Sequence, residues 1–97
     1  MQLRIFDFAE RDLEDGYHFY ERQSSGLGIY FLDSLYSDID SLLFFAGIHR
    51  KVFGHYRLLA RRFPFAVYYE IVKNEILVFA VLDCRRNPDW IRARLRG

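Results

Sequence analysis

The sequence predicts an α+β fold, with the order β-α-α-β-β-β-α, in which a helical hairpin packs on an antiparallel sheet and a short helix ends the chain. Apolar residues recur every three or four positions in the first half of the chain. From about residue 55 they recur every second position, which is the period of a strand. A chain of 97 residues is long enough for only one core, so residues 1–97 are expected to form a single domain.

A short strand and an acidic amphipathic helix are predicted at the N-terminus. Leu3 and Ile5 alternate with polar neighbours, as in a strand with one buried face. Asp7 and Glu10 then have the spacing of a capping box, in which the Asp7 carboxylate would accept free backbone N–H groups at the start of a helix. The apolar side of this helix consists of residues at helical spacing: Ala9, Leu13, Gly16, Tyr17 and Tyr20.

A second helix is predicted after the turn-forming segment QSSGLG at residues 23–28, so that the two helices form a hairpin. Its apolar stripe keeps the helical period over residues 32–43, and four aromatic residues fall at the margins of that stripe: Tyr30, Phe31, Phe44 and Phe45. Gly47 stands where a left-handed residue would end the helix.

Three strands and a short helix are predicted for the second half. Residues 55–62 alternate apolar and basic side chains, whereas residues 65–72 and 76–82 are almost wholly apolar, as in central strands. Lys73 and Asn74 between these two strands fit a tight hairpin turn. Asn87 and Pro88 have the residue types of an N-cap and a first helical position.

The net charge of +1 conceals two halves of opposite sign. Residues 1–48 hold nine acidic and three basic side chains (−6), and residues 49–97 hold four acidic and eleven basic ones (+7). Such a chain either carries an acidic and a basic face that steer charged partners, or brings the two sets together so that they neutralise each other.

No cofactor, metal or membrane is expected. Cys84 is the only cysteine and cannot form an internal disulfide, which favours the cytoplasm. No apolar run has the length of a signal peptide core or of a membrane span. The three histidines and Cys84 are too scattered for the spacing of metal ligands.

Two segments carry a resemblance to a known family. RFPFAVYYEI at residues 62–71 and VFAVLDCRRNP at residues 78–88, together with the element order, resemble toxins of the RelE/ParE superfamily from type II toxin–antitoxin modules, and ParE-like members in particular. The resemblance spans nearly the whole chain, although the N-terminal helices match only in length, acidity and apolar spacing.

The resemblance implies a cognate antitoxin whose tail lies over the toxin. Acidic side chains of such a tail would meet the arginine-rich half, and apolar ones would cover exposed aromatic residues. The expected antitoxin contacts are Tyr30, Phe31, Phe44 and Phe45, and for each of them a core position is the alternative.

The superfamily also implies two alternative activities, one of which is ribosome-dependent cleavage of mRNA. That reaction needs a base, an acid and cations around the phosphate. Arg85 matches one arginine position of RelE-like members, but the second falls at Phe65 and Ala66, and Trp90 and Ile91 stand near the Tyr or His position. The candidate substitutes for the missing catalytic groups are His49 and Lys51, with Tyr56 or Tyr68 as proton donors. Because the expected ribonuclease residues are incomplete, the sequence favours a protein that is not an enzyme.

The other activity is inhibition of DNA gyrase by binding, which the resemblance to ParE-like toxins implies. The expected target contacts follow strand ends or open the last helix: Arg61, Arg62, Arg85, Arg86 and Trp90. In the alternative interpretation, Arg85 and Arg86 pair with Asp83 or Asp89, and Trp90 seals the core or stacks on a base. A third hypothesis is an inactive homologue that only binds antitoxin.

Overall fold

The computed structural model describes residues 1–96. Its elements, in chain order, are β1 (Gln2–Ile5), α1 (Asp7–Gln23), α2 (Leu27–Asp40), α3 (Leu42–Phe45), β2 (Lys51–Val52), β3 (His55–Leu59), β4 (Phe65–Val72), β5 (Glu75–Asp83) and α4 (Pro88–Arg96). The strands form one sheet in the order β1-β5-β4-β3-β2. The predicted α+β class is confirmed. Within residues 1–96 there is no helix with the length and apolar character needed to cross a membrane.

The sheet is mixed rather than antiparallel, which corrects the prediction. β1 runs parallel to β5, with Leu3 opposite Ile76, whereas β2, β3, β4 and β5 form antiparallel pairs. Tight turns force antiparallel neighbours, but the long connection from β1 through the helices to β5 leaves the direction free. Strand β3 is also shorter than predicted, because the N–H of Arg61 bonds to the carboxylate of Asp38.

The predicted capping box at the start of α1 is wrong. Phe6 is the N-cap residue and has extended backbone angles, and no side chain bonds to this helix start. The N–H of Phe6 bonds to the carbonyl of Val78 at 3.0 Å, so pairing with β5 keeps Phe6 extended and makes Asp7 the first helical residue. Further along, the second helix breaks at Ser41, and Gly47 adopts the predicted left-handed conformation with φ 95° after α3.

The main core lies between the helical hairpin and one face of the sheet. Leu13 of α1 and Phe31, Leu35 and Ile39 of α2 belong to one buried cluster with inward-facing residues of β4 and β5, among them Val67, Tyr69, Ile76 and Val78. A smaller cluster lies on the other face, where Ile91 of α4 is buried with residues of the same two strands: Ala66, Tyr68, Ala80 and Leu82. Strands β4 and β5 are therefore covered on both faces, as their apolar sequences predict.

Two glycines allow α1 and α2 to approach closely. A Cβ atom on Gly16 would lie 2.5 Å from the ring of Phe31, and one on Gly28 would lie 2.7 Å from the carbonyl oxygen of Tyr17. The Glu21 carboxylate accepts the N–H groups of Gly26 and Gly28 at 3.0 and 2.9 Å, which satisfies backbone donors at the start of α2. The hairpin is therefore held by close backbone packing and by one carboxylate.

We expect Gly28→Ala to lower the free energy of unfolding by roughly 1–3 kcal/mol, because the added methyl group would overlap a backbone oxygen that cannot turn away. Urea unfolding followed by circular dichroism measures the loss. Ser25→Ala, in the exposed connection between the helices, is the control and should change stability by less than about 0.5 kcal/mol. Equal unfolding midpoints for the two variants would contradict this account of the hairpin.

Candidate functional site: a groove lined by Arg86 and Trp90

A groove of about 680 Å³ runs between α1 and the end of β5 that leads into α4. Arg86 and Trp90 line it, and the guanidinium of Arg86 lies 3.7 Å from the centroid of the Trp90 ring, a cation–π contact. Arg86 is exposed and Trp90 keeps 37% of its surface exposed, so a partner can reach both side chains.

The start of α4 fixes the position of Trp90. The Asn87 side-chain oxygen accepts the N–H of Asp89 at 2.7 Å, and Pro88 is the first helical residue, as predicted. Ile91 is buried against the sheet and therefore sets the rotation of the helix. With that rotation, Trp90 lines the groove next to Arg86.

Asp12 joins α1, β5 and α4 beneath the groove. Its carboxylate accepts the N–H of Val81 at 3.0 Å and is hydrogen-bonded to the guanidinium of Arg94. Burial raises the pKa of Asp12, and the bonds from Val81 and Arg94 oppose that rise. The Arg94 charge compensates a carboxylate that would otherwise be largely buried without a counter-charge.

Arg85 is engaged with Asp83. The guanidinium donates to the Asp83 carboxylate at 2.6 and 3.0 Å, and this pairing holds the pKa of Asp83 below its usual range. Arg85 also acts on Tyr20: burial raises the pKa of the Tyr20 hydroxyl, and the nearby guanidinium opposes that rise. The helical spacing of Tyr20 predicts only a core residue, because nothing in that spacing indicates a neighbour 65 residues away.

The four arginines predicted as one patch have different surroundings. The strand ends do meet, since the N–H of Cys84 bonds to the carbonyl of Pro64 at 2.8 Å. However, Arg61 lines a separate cavity of about 310 Å³ beside α2 and α3, and Arg85 is paired with Asp83. Arg62 is exposed. Of the five predicted target contacts, only Arg86 and Trp90 line the groove.

His49 is held by a hydrogen-bond network on the sheet. Its Nδ1 bonds to the hydroxyl of Tyr69, which also accepts the N–H of Gly47 at 2.9 Å. The hydroxyl of Tyr69 thus links the ring of His49 to the backbone of Gly47. Burial lowers the pKa of His49 and favours the neutral form of the ring.

Two of the catalytic candidates, His49 and Lys51, lie beside the stacked rings of Tyr56 and Tyr69, and Arg85 lies further along the sheet. His49 and Arg61 line the cavity of about 310 Å³, and Lys51 lies over the ring of Tyr56, which stacks on Tyr69. Arg85 belongs to the other end of β4, because its partner Asp83 pairs with Phe65 while His49 bonds to Tyr69. Four residues of strand separate these points by roughly 13 Å.

The predicted antitoxin contacts also divide. Phe31 is buried in the core, because its ring fills the space above Gly16. The antitoxin contact predicted for this residue is therefore wrong, and the core alternative is correct. Tyr30 is exposed near the start of α2, whereas Phe44 and Phe45 lie beyond the end of that helix, roughly 20 Å along its axis. Phe44 (83% exposed), Phe45 (53%) and Ile48 (73%) form an apolar group that we call the α3 surface.

The fold thus defines an α+β protein in which a helical hairpin and a C-terminal helix cover the two faces of a mixed five-stranded sheet. A chain of the solved structure described as "Chromosomal ParDE TA system from P. aeruginosa" has this fold, with a TM-score of 0.74 and 23% sequence identity over 84% of this chain and 92% of that chain. The two chains therefore share one fold. No protein-family model matches the sequence, and neither does any curated protein.

We expect stability to fall as the pH drops from about 7.5 to 5.5, in part because of His49. The unfolded chain binds a proton there with a pKa of about 6.5, while the folded protein holds the ring neutral to a lower pH. Urea unfolding at both pH values measures the difference. His49→Gln should reduce it, and His18→Gln, on an exposed turn of α1, is the control. An unchanged pH dependence in His49→Gln would contradict the assignment.

Proposed function

We propose that this chain is the toxin of a type II toxin–antitoxin module, that it acts in the cytoplasm by binding DNA gyrase, and that a cognate antitoxin keeps it inactive. The likeness to a chain of a ParDE toxin–antitoxin system supports the first part, because that match covers most of both chains. The ParE-like sequence segments at residues 62–71 and 78–88 support gyrase as the target.

The exposed pair of Arg86 and Trp90 is the observation that carries the proposal. Tryptophan and arginine are enriched among the residues that dominate the energy of protein interfaces. Here the guanidinium stacks on the indole, so the two side chains present one preorganised contact on the wall of an open groove. Binding through such a contact requires no proton transfer.

The dispersal of the catalytic candidates supports binding rather than cleavage. Arg85 is neutralised by Asp83, and roughly 13 Å of strand separates this ion pair from the point where His49 is anchored. RNA cleavage requires base, acid and cation within hydrogen-bond reach of one phosphate. The separation of Arg85 from His49 and Lys51 therefore supports a binding protein.

The α3 surface is the proposed contact for the antitoxin. Phe44, Phe45 and Ile48 lie within five residues of each other and are all more than half exposed. Contiguous exposed apolar residues of this kind mark protein interaction sites. Phe45 and Ile48 also line the cavity that contains Arg61, so apolar side chains of an antitoxin tail would lie beside a cation that attracts its acidic residues.

A second candidate function, ribosome-dependent mRNA cleavage, rests on one observation. The cavity of about 310 Å³ holds a neutral histidine, His49, together with the cationic Arg61 and the hydroxyl of Ser41. His49 would serve as the base for attack by a ribose 2′-hydroxyl, and Arg61 would stabilise the charge that forms on the phosphate. This site differs from the one that the resemblance to RelE-like toxins implies.

Purified protein should inhibit DNA supercoiling by gyrase, and Arg86→Ala should weaken the inhibition at least about tenfold, because it removes half of the stacked contact. Dose–response curves of supercoiling give the change. Arg50→Ala, which removes an exposed arginine outside the groove, should inhibit like the unmodified protein. Both variants should keep the unfolding temperature, since both side chains are exposed.

Codon-specific cleavage of mRNA on ribosomes, with gyrase unaffected, would replace the proposal by the second candidate. His49→Ala separates the two, because it should abolish such cleavage and leave gyrase inhibition intact. A protein that does neither but binds its antitoxin would be the inactive homologue.

Phe44→Ser should weaken binding of the cognate antitoxin at least about tenfold, because Phe44 offers the largest exposed ring of the α3 surface. Isothermal titration calorimetry measures the affinity. Ile29→Ser, an exposed apolar residue at the start of α2, is the matched control and should bind normally. Equal affinity of Phe44→Ser and the unmodified chain would place the antitoxin elsewhere.

A further inference from the structure

A second opening adjoins the groove at Trp90 and Arg94. It has a volume of about 440 Å³ and lies between the start of α1 and α4. Its walls are dominated by aromatic rings, those of Phe6, Phe8, Phe79 and Trp90, and we call it the aromatic cleft. Phe8 is 63% exposed, although a phenylalanine of this size would normally be covered in a monomeric protein. The ring of Phe8 is therefore accessible from solvent, and those of Phe6 and Phe79 are partly so.

Three arginines surround the aromatic cleft without acidic partners. Arg4 lies 5.3 Å from the ring centroid of Phe6, Arg11 lies 5.6 Å from that of Phe8, and Arg86 covers Trp90. Within residues 1–96 none of these three guanidiniums takes part in a salt bridge.

Other charges near the cleft are of both signs. Arg94, which also lines the cleft, is paired with Asp12. The first turn of α1 contributes two exposed carboxylates, Asp7 and Glu10, and Glu14 and Asp15 follow Arg11 by about one helical turn. The three guanidiniums lie directly beside the aromatic rings, so an occupant that combines a planar apolar part with negative charge would contact both.

We propose that the aromatic cleft binds an unpaired base of single-stranded nucleic acid, with Arg4, Arg11 and Arg86 on the adjoining phosphates. Aromatic side chains beside a cationic rim are the recurring means of holding single strands, because every base offers a face for stacking. The cleft wall contributes no polar side chain other than Arg94, so binding should be largely independent of base sequence.

An extended peptide is a poorer occupant of the same place. A peptide strand would have to pair with the edge of β5 beyond the end of β1, but the N–H of Val81 there is already bonded to Asp12. A nucleotide needs only aromatic rings on which its base stacks and cations that contact its phosphate, and the cleft provides both. The inference goes beyond the proposed function, since it concerns a ligand that binds without gyrase.

Trp90 is the only tryptophan of the chain, so its fluorescence reports directly on the cleft. Titration with an oligothymidine strand of about 12 nucleotides should quench this fluorescence and saturate. Phe8→Ala should raise the dissociation constant roughly fivefold or more, as loss of one stacking platform does. Arg11→Ala should lower the slope of log K against log salt by about 0.7, the effect of one lost phosphate contact on a single strand.

Arg50→Ala, with the same loss of charge outside the cleft, is the control and should bind like the unmodified protein. Circular dichroism and thermal unfolding verify that Phe8→Ala is folded. Absence of saturable quenching, or equal affinity of Phe8→Ala and Arg50→Ala, would overturn the inference. So would an acidic phenylalanine-containing peptide that quenches Trp90 more tightly than the strand and displaces it.

The result is independent of the supercoiling assay. Gyrase inhibition without oligonucleotide binding would leave the proposed function standing and remove this inference. Oligonucleotide binding without gyrase inhibition would do the reverse.

Discussion

The carboxylate of Asp12 satisfies a backbone donor that the sheet leaves free. β1 pairs with β5 only as far as Val78, so the edge of β5 beyond it has no neighbouring strand. A buried N–H without a partner costs about 1–3 kcal/mol, and Asp12 removes that cost at Val81. The carboxylate is itself desolvated, and Arg94 compensates it from the opposite face of the sheet. Because β1 is too short to pair with Val81, the fold requires an acidic residue on α1, Asp12, and a basic residue on α4, Arg94.

This arrangement also shapes both openings of the molecule. Arg94 lines the groove and the aromatic cleft, and its bond to Asp12 fixes the distance between α1 and α4 on which both depend. Trp90 belongs to the same short helix, and Ile91 and Leu95 are the side chains that pack this helix on the sheet. The position of Trp90 relative to α1 therefore depends on one ion pair and a few apolar contacts.

Local patterns in the sequence predicted what local chemistry determines. The helical spacing of Leu13 and Tyr20, the Asn87 cap and the left-handed Gly47 all depend on residues within one or two turns, and the structure contains each of them. The predicted fold class followed from the same patterns. The ion pair of Arg85 with Asp83 also joins residues only two positions apart, so the sequence indicates it as the alternative to a target-binding role of Arg85.

Contacts between distant residues lay beyond this reasoning. The helical period places Phe31 at the margin of the stripe, but its ring packs against Gly16 of another helix. Glu21 has the pattern of a solvated surface residue, yet it binds the start of α2. The influence of Arg85 on the pKa of Tyr20 and the shared cavity of His49 and Arg61 depend on how the elements are stacked, which no spacing within a single element encodes.

The two outer strands bear on how the protein behaves when no partner covers it. β2 has two residues and begins with Lys51, and β1 has four and carries the exposed Arg4. Short, charged edge strands are poor templates for joining sheets of separate molecules. A population of free chains should therefore resist fibril-like aggregation through the sheet, and self-association would have to begin at exposed apolar rings on the helices.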